Sequence, residues 1–182
     1  MSKVAVVYWS GTGNTEQMAE SVADGARNAG ADVTTFTAAE FDADKMDEFD
    51  AIAFGCPSMG AEQLEEDEFE PMFTACEAKL SGKKIALFGS YGWGDGEWMR
   101  NWDETCRNDG AVMACDFVIC NDAPDEDAKA ACEELGKALA YLEKKSSKAN
   151  DKMLPSFFYY TVKSKQERIA VCGLTFPFAT AT

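Results

Sequence analysis

The stretch VAVVYWSGTGNTEQMAE, residues 4–20, decides the fold that the sequence predicts. It begins with a short apolar, β-branched run, continues through a loop of Ser, Gly, Thr and Asn, and ends in the first turns of a helical pattern. The start of such a helix presents backbone N–H groups and partial positive charge, which stabilise an anion. The loop itself contains no basic residue, because the nearest ones along the chain are Lys3 and Arg27.

The residues of this loop, SGTGNT at 10–15, exclude two common phosphate-binding motifs. A Walker loop requires a lysine, and a dinucleotide-binding loop requires a third glycine where Glu16 stands. The side chains of Ser10, Asn14 and Thr15 could instead help to surround a phosphate with neutral hydrogen-bond donors. Taken alone, the same residues are also typical of an ordinary helix with a well-capped start.

Strand-like and helix-like segments alternate along the first 145 residues. The predicted strands are 3–8, 31–36, 51–55, 83–90 and 111–120, and the predicted helices are 13–28, 70–80, 95–108 and 124–145. Short strands that alternate with helices predict an α/β fold, a parallel sheet covered by helices on both faces. Three strands run directly into Gly- or Ser-rich loops, so we expect these loops to converge at the carboxyl edge of the sheet and to form the site.

The composition excludes several classes of function. With 17 Lys and Arg against 32 Asp and Glu, the net charge is −15, which disfavours attachment to nucleic acid or to an anionic membrane surface. Histidine, the most common general base and metal ligand, is absent, and we predict neither a metal site nor a catalytic residue. The seven irregularly spaced cysteines are typical of reduced thiols, and no apolar run is long enough for a membrane span, so we predict a cytoplasmic protein.

The C-terminal segment 146–182 differs in composition from the rest of the chain. It contains five of the 17 basic residues but only two of the 32 acidic ones. Residues 146–152 are typical of a linker, and two β-prone runs follow, which leaves open a hairpin or an appendage foreign to the domain. We therefore predict a domain over 1–145, followed by a linker and tail over 146–182.

Two further loops carry a resemblance to a known family. GCPSMGAEQLEEDEFEP, residues 55–71, follows the third strand, and GSYGWGDGEWMR, residues 89–100, follows the fourth. Together with the first loop, in this order and spacing, they resemble the short-chain flavodoxins of anaerobes over about residues 3–145. The resemblance implies a three-layer sandwich with a five-stranded parallel sheet of order 2-1-3-4-5, an arrangement for which flavodoxin itself is a standard example.

The resemblance also implies non-covalently bound FMN, with its phosphate in the first loop and Trp9 as a shield. Met59 would lie against the inner face of the isoalloxazine ring, and Trp93 would stack on the outer face. Gly60 would turn its peptide toward N5, and Glu62 would reach the N3 edge. The residues expected to contact FMN are Trp9, Ser10, Gly11, Thr12, Gly13, Asn14, Thr15, Pro57, Ser58, Met59, Gly60, Glu62, Ser90, Tyr91, Gly92, Trp93 and Gly94.

Two positions depart from the family pattern. Pro57 stands where related sequences often have a serine that touches phosphate, and Ser58 beside it could supply that hydroxyl only if the loop shifts. Ala61 stands where an aspartate is frequent, which removes one negative charge near N5. Asn121 is a candidate contact of the ribityl chain, but the alignment slips by a residue near Ala123, and we assign Asn121 no role.

The function implied by the resemblance is a low-potential carrier of single electrons and not an enzyme. FMN would alternate between a neutral semiquinone and an anionic hydroquinone, and nearby negative charge would raise the free energy of the anionic form. An acidic rim with Glu62, Glu65, Glu66 and Asp67 would dock basic patches on reductases or iron–sulfur enzymes, with the protein a monomer. An FMN-dependent NAD(P)H:quinone oxidoreductase of the same fold and a flavin-free regulatory protein stay open as alternatives.

Overall fold

The structure is a computed structural model that describes residues 1–141. Its strands are β1 Lys3–Tyr8, β2 Asp32–Thr37, β3 Ala51–Gly55, β4 Lys84–Tyr91, β5 Val112–Met113 and β6 Val118–Asn121. Its helices are α1 Asn14–Asn28, α2 Phe69–Glu77, α3 Glu97–Asn108 and α4 Glu126–Ala140, with short 3-10 turns at Ala38–Glu40 and Lys45–Glu48. The predicted linker and tail over 146–182 lie outside the described residues.

The strands form one parallel sheet with helices on both of its faces. The order β2-β1-β3-β4-β5 confirms the predicted 2-1-3-4-5 arrangement. Side chains alternate between the faces along β1: Val4 and Val6 lie in the apolar cluster of α1 and α4, and Ala5 and Val7 lie in that of α2 and α3. Both faces of β1 are therefore buried, which explains why its sequence is a continuous apolar run.

The fifth strand differs from the prediction of a single strand over 111–120. β5 pairs with the first part of β4, with Met113 opposite Ile85, and β6 pairs with its last part, with Val118 opposite Phe88. Between these two pairs β4 advances by three residues and the opposing chain by five, so two extra residues bulge out of the ladder. The run over 111–120 is apolar apart from the exposed Asp116 in the bulge, and one polar residue was not enough to indicate the break.

Helix α4 is shorter than the predicted 124–145. The side chain of Asp125 accepts the N–H of Ala128 at 2.8 Å, which caps the start of the helix. At the other end, Lys84 Nζ donates to the carbonyl oxygen of Ala138 at 2.7 Å and thereby satisfies one of the last carbonyl groups. The other predicted helices and strands agree with the structure within about three residues at each end.

Helices α1 and α4 cross at two glycines, Gly25 and Gly136. A Cβ atom on Gly25 would overlap the carbonyl oxygen of Glu133, and one on Gly136 would overlap that of Val22. The backbones of the two helices are therefore in direct contact, and only glycine fits at the crossing.

We expect Gly136→Ala to lower the free energy of unfolding by about 1–3 kcal/mol through overpacking, although alanine has the higher helix propensity. Ala130→Gly, on an exposed position of the same helix, is the matched control and should cost about 1 kcal/mol through propensity alone. Urea denaturation measures both values. A Gly136→Ala variant as stable as the parent would mean that the helices do not cross so closely.

Candidate functional site

Three loops meet at the carboxyl edge of the sheet, after β1, β3 and β4. The N–H of Trp9 donates to the carbonyl oxygen of Gly55 at 3.0 Å, which joins the first loop to the end of β3. The N–H of Ser58 donates to the carbonyl oxygen of Ser90 at 2.9 Å, which joins the second loop to the end of β4. The predicted convergence of these loops is confirmed, and the candidate residues therefore lie in one region.

The first loop, residues 9–13, turns sharply into α1. Gly13 has a φ of 87°, in the left-handed region that favours glycine, and its N–H donates to Ser10 Oγ at 3.0 Å. The Trp9 ring covers the loop, since a Cβ on Gly11 would lie only 2.9 Å from Cη2 of that ring. The loop is thus compact and leaves no room for a side chain at position 11.

The start of α1 has backbone donors without an acceptor. Within residues 1–141, the N–H groups of Gly11, Thr12, Asn14, Thr15 and Glu16 have no hydrogen-bond acceptor. These open donors lie at the positive end of the helix dipole. The arrangement can bind an anion through hydrogen bonds alone.

The other three helices of the described part each receive a carboxylate at their start. At α2, the carboxylate of Glu65 accepts the backbone N–H groups of Asp67, Glu68 and Phe69. At α3, the carboxylate of Glu62 accepts those of Asp95, Gly96 and Glu97. At α4, the carboxylate of Asp125 accepts that of Ala128. Helix α1 differs from them because no carboxylate of residues 1–141 accepts an N–H at its start. Its open donors therefore distinguish it from the other helix starts of the described part as the candidate for an anion site.

Glu16 is the acidic residue in the first turn of α1, and its carboxylate is directed to Tyr8. Tyr8 Oη donates to Glu16 Oε1 at 3.0 Å. Burial, this hydrogen bond and the nearby negative charges raise the pKa of Tyr8 to about 12, so the hydroxyl keeps its proton at neutral pH. The bond holds the Glu16 carboxylate at the end of β1, where it accepts no backbone N–H.

Two of the predicted hydroxyls face each other inside the protein. Thr15 Oγ1 lies 3.1 Å from Ser90 Oγ, and both residues are buried, so this pair joins the start of α1 to β4. Pro57 and Ser58 are half-buried after β3, and the Ser58 hydroxyl has no hydrogen-bond partner within the described residues. The Ser58 hydroxyl is therefore available to a ligand, whereas the Ser90 hydroxyl already has a partner.

The second loop contains a tight turn over residues 59–63. Met59 and Gln63 exchange two backbone hydrogen bonds, at 2.9 and 3.0 Å. Gly60 and Glu62 have positive φ values of 49° and 53°, and this conformation is strained at Glu62 because it carries a Cβ. The Met59 side chain is 37% exposed beside the turn, so a ligand can reach it.

The third loop presents Trp93, which is 62% exposed. Asn121, at the end of β6, holds this loop, because its Nδ2 donates to the carbonyl oxygens of Tyr91 at 3.1 Å and Gly92 at 3.5 Å. The sequence alone leaves Asn121 without a role, because the match to the family slips by a residue near Ala123. The structure adds Asn121 to the site as a residue that supports the loop of Trp93.

Glu65 is not part of the exposed acidic rim, and that prediction was wrong. The residue is only 6% exposed, and its carboxylate accepts the N–H groups of Phe69, Glu68 and Asp67 at 2.8, 2.9 and 3.0 Å. Burial raises the pKa of this carboxyl, but the three N–H groups outweigh burial and leave the pKa below its usual value. The charge of Glu65 therefore stabilises the start of α2 and does not face a partner.

Two other features of the described part bear on its chemistry. All six cysteines within residues 1–141 are free, and burial raises the pKa of Cys115 and of Cys120 to about 11, which keeps these thiols protonated at neutral pH. Among the described helices, none has the length and apolar character of a membrane span.

Comparison with known proteins agrees with this geometry. The sequence pattern of the family described as Flavodoxin matches residues 6–136. A flavodoxin of Clostridium beijerinckii is 48% identical over 135 residues, which cover 74% of this chain and 97% of the relative. A flavodoxin of Megasphaera elsdenii is 45% identical over 137 residues, which cover 75% of this chain and 98% of the relative.

A solved structure gives the same result for the fold. The solution structure of two-electron reduced Megasphaera elsdenii flavodoxin has a TM-score of 0.70 and 46% identity to this chain. The match covers 75% of this chain and 98% of that one. The three-layer arrangement thus belongs to a fold that is known in experimental structures.

We expect Glu65→Ala to lower the free energy of unfolding by about 1–2 kcal/mol at neutral pH, because the start of α2 loses its acceptor. The folded-state pKa of Glu65 is depressed, so the stabilisation is present above the unfolded value of about 4.3 and is lost as the pH falls through the folded value. Glu66→Ala, at the exposed neighbour, is the control and should change stability by less than about 0.5 kcal/mol. Denaturant unfolding at neutral pH and at pH values below about 4.3 measures these free energies of unfolding. Equal losses of stability in the two variants would contradict the role of Glu65 as a cap.

Proposed function

The chain belongs to the flavodoxin family, and we propose that it is a low-potential carrier of single electrons. Flavodoxins bind FMN as their cofactor, and FMN supplies a ring that takes up and releases electrons one at a time. In this proposal bound FMN alternates between the neutral semiquinone and the anionic hydroquinone, and the protein is not an enzyme. The observation that carries the proposal is the open, uncapped start of α1 at the carboxyl edge of the sheet.

The start of α1 fits the FMN phosphate. Its open N–H groups provide donors, and the helix dipole provides partial positive charge. Ser10 accepts the N–H of Gly13, so the hydrogen of its own hydroxyl remains available to a phosphate oxygen. Thr12 and Asn14 bring further neutral donors to the same place, and Trp9 covers the loop beside them. These groups would hold a phosphate monoester without a basic side chain.

The lack of basic residues in this loop favours a low reduction potential. No Lys or Arg stands between Lys3 and Arg27, so no cation there offsets the charge of the reduced ring. An exposed carboxylate at about 10 Å adds roughly 0.4 kcal/mol of repulsion in water, and salt reduces this by about half. Since ~1.4 kcal/mol corresponds to ~59 mV for one electron, several such carboxylates would lower the potential by a few tens of mV.

Met59 and Trp93 fit the two faces of the isoalloxazine ring. Trp93 makes no ring contact with another aromatic residue of the described part, and stacking on a flavin would bury its exposed surface. Gly60 can turn its peptide toward N5, since glycine accepts either sign of φ. The proposed contacts in the second and third loops also include Pro57, Ser58, Glu62, Ser90, Tyr91, Gly92 and Gly94.

The proposed docking surface is the set of exposed carboxylates that follow the second loop. We define this acidic rim as Glu66, Asp67, Glu68 and Glu70, which are exposed, together with the half-buried Glu62. Such a rim would attract basic patches on reductases or iron–sulfur enzymes and form small, transient interfaces with them. We infer a monomer that acts in the cytoplasm, where its free thiols stay reduced.

We expect stepwise anaerobic reduction of the purified protein to convert a yellow form into a blue neutral semiquinone before the colour bleaches. Visible absorbance follows the reaction.

Gly60→Ala should reduce the amount of the blue intermediate, because a Cβ makes positive φ values costly at this turn. Ala61→Gly, the matched change at the next residue, should leave the blue intermediate undiminished, since it only frees the turn.

Other outcomes would contradict the carrier. A yellow protein that bleaches directly, or one that oxidises NAD(P)H by itself at useful turnover, would favour the quinone oxidoreductase. A protein that takes up no FMN would overturn the proposed function altogether.

A further inference from the structure

Glu62 connects the second and third loops through a single oxygen atom. Its Oε1 accepts the backbone N–H groups of Asp95, Gly96 and Glu97, at 3.0, 2.9 and 3.2 Å. These donors lie at the start of α3, whose N-cap residue is Gly96 and therefore offers no side chain. Glu62 thus supplies from a distant part of the sequence the acceptor that this helix start requires.

The surrounding backbone holds Glu62 in this position. The two hydrogen bonds between Met59 and Gln63 close the turn that carries it, and its own φ of 53° is unfavourable for a residue with a Cβ. Gly94 has a φ of 91°, and a Cβ at this position would overlap Glu62 Oε1. The strained turn directs the Glu62 carboxylate toward α3, and the absence of a side chain at Gly94 leaves room for it.

The second carboxylate oxygen of Glu62 remains available. All three N–H groups donate to Oε1, and Oε2 has no hydrogen-bond partner within residues 1–141. The neighbouring carboxylate of Asp95 is paired with Arg100, with 2.6 Å between Oδ1 and Nη2, so it does not compete for these donors. One carboxylate can therefore serve the helix and a ligand at the same time.

We propose that Glu62 is a positioning residue that joins the two ring-binding loops before FMN is bound. Oε1 holds the start of α3, and with it the loop of Trp93, at a set distance from the turn of Met59. Oε2 stays free for the contact with the N3 edge of the ring that the family resemblance already implies for Glu62. The identity of the ligand rests on the proposed function, whereas the connection between the loops exists in the chain alone. Loops that are already ordered have less entropy to lose when a ligand binds.

Glutamine at position 62 separates the two roles, because it has a single acceptor oxygen where the carboxylate has two. Without FMN, the amide oxygen of Glu62→Gln can still face the three N–H groups. With FMN bound, the same oxygen has to serve either the ring or the helix, and the –NH₂ group then meets donors. Glu62→Ala removes both functions in either state.

The experiment is amide hydrogen exchange at residues 95, 96 and 97, measured by NMR on the FMN-loaded protein and on the protein freed of FMN. We expect Glu62→Ala to raise exchange at these amides by about tenfold in both states, the effect of losing a cap worth roughly 1.4 kcal/mol. In Glu62→Gln, the exchange rates of these amides should stay within about threefold of the parent's rates without FMN. With FMN bound, they should rise more than about threefold above the parent's rates. Glu97→Gln removes one charge at the same helix start without removing an acceptor and should stay within about threefold in both states.

Gly94→Ala provides a second variant that retains the glutamate. Its Cβ should expel Oε1 and raise exchange at the same three amides. Exchange within about twofold of the parent in both Glu62→Ala and Gly94→Ala would overturn the proposal, as would a Glu62→Gln variant that is insensitive to FMN. The measurement without FMN tests the connection between the loops even if the protein takes up no flavin. Failure of this proposal can therefore be distinguished from failure of the carrier function.

Discussion

Each described helix of this protein begins with backbone N–H groups that need an acceptor, and within residues 1–141 carboxylates provide one for three helices and none for α1. Glu65, Glu62 and Asp125 serve α2, α3 and α4. The start of α1 keeps its donors open within the described residues, and no basic residue stands between Lys3 and Arg27. In the proposed function the FMN phosphate is the acceptor that α1 lacks, so the same requirement explains the fold of the loops and the place of the cofactor.

The use of carboxylates as caps also determines where the protein carries its negative charge. Glu65 is buried under the start of α2, whereas Glu66, Asp67, Glu68 and Glu70 remain exposed around it. The exposed groups are free to attract a basic partner and to raise the free energy of an anionic ring, while the buried one holds the loop in place. The acidic residues of this segment thus have two separate roles: the buried Glu65 stabilises a helix start, and its exposed neighbours provide surface charge.

The sequence predicted the sheet, its order and the convergence of the loops, because buried parallel strands are continuous apolar runs and their loops carry distinctive residues. It could not show that the run over 111–120 contains a bulge, since Asp116 is the single polar residue in an otherwise apolar run. It also could not separate Glu65 from its acidic neighbours, because burial depends on the turn before α2. The roles of Glu62 and Asn121 depend on contacts with residues about 30 positions away in the chain, which no local pattern reveals.

The central claim is that neutral donors at the start of α1 bind the phosphate, and calorimetric titration of the FMN-free protein with FMN and with riboflavin at several salt concentrations tests it most directly. We predict that FMN binds at least about 100-fold more tightly than riboflavin, equivalent to ~2.7 kcal/mol for hydrogen bonds to a charged group. Salt should not weaken FMN binding relative to riboflavin, because it screens repulsion from a chain of net charge −15 and the phosphate loop, between Lys3 and Arg27, contains no cation. Equal affinities for the two flavins, or an FMN affinity that falls with salt, would contradict the account.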